Sequence, residues 1–379
     1  MQDLTDEQKL ACLAQRVPIE FLSALYLSQI SDKEKEQVNS HMRVVLKIGG
    51  LEAMVTMSPS EPVLSEAAYY IMSTSRNFNP AQALQKILDG FLVNKGELGE
   101  LITVLLFTIA RDKAVGPAAR SSGSPSTGQR WCSITGLMGS LFRTPDIASN
   151  SHVDVNASHG WSFTRKRAKR LNRSLADQFK NSKVYFTHFI KVHQHAIVQV
   201  DYLMRLMARG AAILCGNNQR SMDGIIPFLF DGDEIRPGNI GVILFQVKND
   251  RTYNKPIVQR VHDMDPRGFG VISPSADIPV IRLFFSLAAN TPALELVHHT
   301  TSSRVANSYH SYDFWVSGLS PKILVPVMDG ETAWESILQA SSDWKTIYKG
   351  GTRHSERLRK SMNPGVALDE EFWENWFPL

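Results

Sequence analysis

Near residue 210 the spacing of apolar residues changes from helical to strand-like. Three short apolar runs, Ala211–Cys215, Ile225–Phe230 and Ile240–Val247, follow one another with Asn-, Gly-, Asp- and Pro-rich turns between them. Runs of that length, punctuated in that way, predict adjacent strands in a meander. Further strands are expected over Val280–Leu287, Leu294–His298 and Lys322–Met328, with a closing helix over Thr332–Ala340. A helix followed by strands and then by mixed elements predicts an α+β unit with a central mixed sheet, starting near Trp161.

Upstream of that change the pattern is helical. Helices are expected over Asp6–Ala14, Ile19–Ile30, Val63–Met72, Pro80–Val93 and Glu97–Arg111, the last with Leu98, Leu101, Ile102, Leu105 and Ile109 on one face. From Lys113 to Gln129 the composition turns to Gly, Pro, Ser and Ala, too little apolar surface to order itself strongly. The expected organisation is therefore a helical domain over 1–112, a linker with mobile loops over 113–160, and a second domain over 161–379. Within the second domain a long helix is expected from about Lys183 to Arg209. The acidic aromatic tail with Trp373 and Trp376 reads as a helix docked on the body. The helical domain is the expected surface for a protein partner.

Several classes fall away on composition. Of the 379 residues 43% are hydrophobic and 21% charged, which suits a globular protein with a sizeable core. Three scattered cysteines, Cys12, Cys132 and Cys215, give neither a disulfide framework nor a zinc-ligand spacing, and so favour a reducing compartment. The longest apolar stretch, near Leu101–Ala110, is too short to span a bilayer, and the N-terminus has no secretory pattern. The expectation is an intracellular protein of nucleus or cytoplasm with no membrane partner.

Net charge is only +4, so charge alone names no partner. Its distribution says more. Arg165, Lys166, Arg167, Lys169, Arg170 and Arg173 pack six cations into nine residues. Such a run is a solvated face, a nuclear-import signal or a patch that contacts phosphates without sequence preference. The histidines His188, His193 and His195 do not share one helical face at their spacing, and the adjacent His298 and His299 point oppositely on a strand; both sets read as ordinary surface or strand-end residues.

One constellation carries chemistry. Asp223 opens one expected strand, and after 22 intervening residues Gln246-Val247-Lys248 closes the next. Strand alternation puts Gln246 and Lys248 on one side and Val247 on the other. Antiparallel pairing brings Asp223 beside them. A carboxylate and an amide oxygen suit a hard ion such as Mg2+ or Mn2+, and a lysine can position water or offset charge on a phosphate. The competing reading is a structural ion pair between neighbouring strands. No G-x-S-x-G, HExxH, Rossmann glycine set or P-loop is present to suggest another enzyme class.

Asp-x-x-x-Pro followed by an apolar strand ending Gln246-Val247-Lys248-Asn249 resembles the PD-(D/E)XK, or restriction-endonuclease-like, superfamily in its Gln-x-Lys form. Tyr185–Phe189, Arg209–Ile213 and the helix containing Glu97-Leu98-Gly99-Glu100-Leu101 resemble fungal families related to Crinkler-type proteins. The resemblance implies a metal-dependent nuclease or nucleic-acid-binding protein, acting on DNA rather than RNA, with Asp223, Gln246 and Lys248 as the catalytic triplet. It also implies a further acid from the helix before the first strand, for which Asp201 is the candidate beside Asp223 and Gln246 as metal ligands. Gln246 departs from the family, which usually has a second carboxylate there. The alternative is an inactive nuclease-fold scaffold serving as a protein-interaction module.

Overall fold

The computed structural model describes residues 3–19, 44–48, 54–57, 61–88, 95–116, 130–143, 173–192, 194–216, 221–251, 253, 258–273, 275–301, 309–339, 360, 364–366, 368–369 and 371. Arg165 to Arg170, most of the linker, His193, Trp373 and Trp376 lie outside the described residues, as does nearly all of the helix expected over Ile19–Ile30.

The helices are α1 (Asp6–Ala14), α2 (Pro62–Thr74), α3 (Pro80–Leu88), α4 (Lys95–Val115), α5 (Ile134–Leu141), α6 (Val200–Ala208), α7 (Val258–His262) and α8 (Glu331–Gln339). Their starts follow local chemistry. Thr5 closes a reciprocal capping box with Gln8 ahead of α1, Pro62 occupies the first turn of α2, and the Ser133 side chain accepts the Gly136 N–H at the head of α5. A small hairpin, β1 (Val44–Ile48) with β2 (Met54–Met57), stands apart from the main sheet.

That sheet has eight strands: β3 (Lys183–Val184), β4 (His188–Val192), β5 (Ala211–Cys215), β6 (Gly224–Leu229), β7 (Ile240–Lys248), β8 (Val280–Ser286), β9 (Ala293–Thr301) and β10 (Tyr309–Ser317). The spatial order is β4-β5-β6-β7-β8-β10-β9, with the short β3 pairing β6. Strands β4, β5, β7, β8 and β10 run the same way, while β6 and β9 run against them. The sequence Val200 to Ser286 thus reads helix, three-strand antiparallel meander, helix, and a fourth strand parallel to the third. The expected adjacency of Ala211–Cys215, Ile225–Phe230 and Ile240–Val247 is what the sheet has.

The meander's register is fixed by two Gly–Phe pairs. Gly224 lies opposite Phe245 and Gly241 opposite Phe228. A Cβ on Gly224 would stand 2.1 Å from the Phe245 ring and 2.6 Å from the Ile213 carbonyl; one on Gly241 would stand 2.2 Å from the Phe228 ring. Each ring lies over the bare backbone of its partner, so sliding the strands would drive both rings into side chains.

Alternation along β7 splits the core. Ile243, Phe245 and Val247 join a cluster with α4, whereas Ile240, Val242 and Leu244 join one containing α6 and α7 residues. Helix α4 is buried nearly all round, and its Phe107 ring sits 5.1 Å from Phe245, 5.9 Å from Phe285 and 6.5 Å from Phe189. The buried hydroxyls of Thr103 and Thr108 donate back to the Gly99 and Val104 carbonyls. The helices before residue 112 therefore pack against one face of the sheet. Arg16 fastens this face: wholly buried, it donates to the Thr187 carbonyl at 3.1 Å and to Asp112 at 2.7 Å, and its own carbonyl accepts from Phe189 of β4.

Three sequence expectations are corrected. Lys183–Arg209 is not one helix. The stretch Val184-x-Phe186-x-His188-x-Ile190-x-Val192 alternates, and β3, β4 and a 3-10 turn at His195–Ile197 precede the nine-residue α6. Lys322–Met328 is a turn and a 3-10 helix around Pro326, a residue that cannot donate to a sheet. Tyr309–Ser317, for which the sequence suggests no element, is strand β10, paired on both sides by β8 and β9.

Candidate active site

The strands of like direction end together at Val192, Cys215, Lys248, Ser286 and Ser317, and antiparallel β6 begins at that same edge. Asp223 precedes Gly224, so continuing the β6–β7 register sets it across from Gln246. The chain enters this corner through Ser221, whose φ of 65° is the one left-handed value among the described non-glycine residues. A side chain in that region costs about 1 kcal/mol or more, and such strain collects where a neighbour must be aimed. The turn sets the Asp223 carboxylate against the backbone of β7, where it accepts the Val247 N–H at 2.5 Å.

Asp223 stands across from Gln246 by register, and the Lys248 charge acts on Asp223. Asp223 is partly buried, and burial raises its pKa while the Val247 N–H and the Lys248 charge pull it down. Lys248, at the mouth, is partly exposed. Gln246 is 3% exposed and its Oε1 has no hydrogen-bond partner. A buried amide oxygen left unpaired is costly, and such orphans call for an explanation.

The residue missed in the sequence is Glu100. Helix α4 crosses the end of β7 at close range: a Cβ on Gly99 would lie 3.1 Å from Asn249 Cβ and 3.2 Å from Val247 Cγ1. That approach carries the next residue, Glu100, into the corner. Its carboxyl is pushed up to about 8, first by burial and then by the Asp223 charge, with Lys191 and Lys248 opposing and Glu97 adding. Its Oε2 is buried without a hydrogen-bond partner. Two carboxyls, from a helix and a strand more than 120 residues apart in sequence, thus share one poorly solvated neighbourhood with two lysines. The motif Glu97-Leu98-Gly99-Glu100 was legible, and its glycine marks a close helix–sheet approach; the acid's destination was not.

Asp201 does not join them. It is exposed in the first turn of α6 and adds no charge to the surroundings of Asp223. Arg173, the described member of the basic run, is exposed at the start of a helical stretch. Cys215 backs the corner, with its N–H donating to the Asp223 carbonyl; burial, and then both carboxylates, push its thiol up and keep it an inert core residue. His188 is buried and held neutral, its pKa pushed down to about 4 by burial and then by Arg16 and Arg209.

The oxygen donors of this corner decide which class of ion it can hold. Asp223, Glu100 and Gln246 offer oxygens, two of them orphaned, and no sulfur or imidazole, which suits magnesium or manganese. Among the described residues no three His, Cys, Asp or Glu side chains converge to cage an ion. Magnesium does not require that, since it is commonly held by one or two carboxylates with water and substrate oxygens completing the shell. By register Gln246 lies across from Asp223, and on β7 it alternates onto the face opposite α4.

No helix among the described residues is long and apolar enough to cross a membrane. Residues 8–120 match the model of a family described as a domain of unknown function (DUF8736), a stretch that includes α4 and Glu100. The chain finds no match among curated proteins or among solved structures.

Proposed function

We propose that this corner is a metal-assisted phosphodiester-hydrolysis site and that the chain is a nuclease, or a nucleic-acid-binding relative of one, with a restriction-endonuclease-like core. The observation that carries the reading is the Glu100–Asp223 pair: in one buried corner, burial first and the Asp223 charge second keep the Glu100 carboxyl protonated near neutral pH. Evolved interiors avoid that arrangement unless a cation or a reaction uses it. Asp223 and Glu100 are the ligands, with Gln246 flanking Asp223. A bound magnesium or manganese ion would supply a Lewis acid for the phosphoryl oxygen and lower the pKa of a coordinated water. Lys248, whose charge acts on both carboxyls, would orient that water or offset charge growing on the phosphate. Lys191 favours the ionised form of Glu100. The substrate is nucleic acid, DNA before RNA, with the basic run around Arg173 as the phosphate-contacting patch.

A second reading is favoured by the same corner's quieter features. Gln246 stands where a carboxylate is usual, and the Asp223 carboxylate is occupied by the Val247 N–H. These suit a nuclease fold kept as a scaffold for protein partners.

Cleavage assays on purified wild type with single- and double-stranded DNA and RNA separate the two. Under the nuclease reading Asp223→Ala abolishes cleavage and metal binding, Lys248→Ala keeps metal binding and loses cleavage, and Gln246→Glu tightens the ion and raises the rate. Inactivity of wild type and Gln246→Glu alike, with magnesium and manganese, selects the scaffold.

A further inference from the structure

At the opposite side of the sheet, β9 is the last strand, and β10 lies inside it. Their register sets His298 opposite Tyr312 and His310 opposite Thr300, so the two histidines are diagonal neighbours on one face. Their ring centroids are 5.8 Å apart with the planes inclined at 44°. We propose that His298 and His310 form a two-imidazole site for a zinc-class divalent ion, distinct in place and chemistry from the oxygen-lined corner at Asp223.

The spacing is what the chemistry asks for. An imidazole nitrogen binds zinc at about 2.0–2.1 Å. Two rings with centroids just under 6 Å apart can each turn a nitrogen to one ion between them. His298 is already held for the purpose: its ring stacks on Tyr312 at 4.3 Å and 6°, and the Tyr312 hydroxyl is fixed 2.8 Å from Ser174 Oγ. His310 is exposed, so its ring is the one that adjusts. Burial, followed by the charge of His310, lowers the His298 pKa, with Asp313 opposing. That keeps His298 in the neutral form that binds metal.

Among the described residues no third His, Cys, Asp or Glu joins the pair, and water would complete the shell of a bound ion. The cysteines that would compete for a soft ion, Cys12, Cys132 and Cys215, are buried. An ion bridging the two rings would tie the edge strand to its neighbour, the cross-strand counterpart of a staple.

Calorimetric titration of the whole chain with zinc chloride tests the site. Wild type is expected to bind one ion that is lost, or weakened more than about tenfold, in His310→Ala and in His298→Phe alike. The phenylalanine keeps the stack on Tyr312, so its loss of binding is not a loss of fold. Glu100→Gln is expected to retain that ion, which separates this site from the carboxylate corner. No zinc binding by wild type, or binding unchanged in either histidine variant, overturns the proposal.

Discussion

Arg282 with Asp313 and Glu100 with Asp223 are both pairs of ionisable side chains withdrawn from solvent around one sheet, and they are built on opposite rules. Arg282 and Asp313 are each 0% exposed. The guanidinium donates to both carboxylate oxygens at 2.6 Å, to Ser311 Oγ at 3.0 Å and to the Tyr309 hydroxyl at 3.1 Å. Every strong donor there has an acceptor of matching sign. At the other cluster two carboxyls, which cannot both ionise without repulsion, share one neighbourhood, and Glu100 Oε2 and Gln246 Oε1 have no partner. A charge buried with its complement locks strands together, whereas a charge buried beside its like waits for something from outside. The first cluster needs nothing added, and the second does.

That contrast can be broken most forcefully at the satisfied pair. Arg282→Met leaves Asp313 buried and alone, and is expected to cost about 3–5 kcal/mol in urea unfolding. Replacing both residues by apolar ones of similar volume should recover most of it. A loss under 1 kcal/mol in the single variant would mean that the pair holds nothing.

The unsatisfied pair should respond in the other direction. Folded Glu100 keeps its proton up to about pH 8, against an ordinary value of 4.5. The native state therefore binds more protons than the unfolded chain between those values, and stability falls as pH rises through that window. Glu100→Gln removes the penalty, so it should stabilise the metal-free protein by roughly 1–3 kcal/mol at pH 8 and by nothing near pH 4. A Glu100→Gln variant that is less stable at pH 8 would show the carboxyl to be structural.

The smallest effect is expected at Gly99. Alanine there meets Asn249 and Val247 at 3.1 and 3.2 Å, a crowding offset by the roughly 1 kcal/mol that alanine adds to a helix interior over glycine. Stability should stay within about 1 kcal/mol of wild type, while displacement of Glu100 weakens magnesium binding. Unchanged binding in Gly99→Ala would uncouple the helix position from the site.

The same contrast explains what could be read in advance. The meander was legible because its residues are apolar and its turns carry Gly, Asn, Asp and Pro. Asp223, Gln246 and Lys248 were legible because strand alternation places them without knowledge of the rest of the fold. Tyr309–Ser317 was missed because Ser311 and Asp313 break its apolar pattern, and only Arg282, on a strand distant in sequence, makes them core residues. Lys183–Val192 reads as helix from sequence because only a short turn at His195–Ile197 separates its alternation from the genuine helix Val200–Ala208. Glu100 stayed hidden for a related reason. Helix α4 is apolar nearly all round, so periodicity gives no face to which an acid belongs, and the partner that gives it meaning lies beyond residue 220. Long-range complementarity, not local pattern, placed both clusters.

The central claim is that Glu100 and Asp223 await a cation, and magnesium calorimetry tests it most directly. At pH 7 Glu100 carries its proton, so binding must release it. Titrations in two buffers of different ionisation enthalpy should show close to one proton released per ion in wild type. Glu100→Gln should bind more weakly and release none. Magnesium binding with the same proton release in Glu100→Gln, or no binding by wild type at all, would contradict the account.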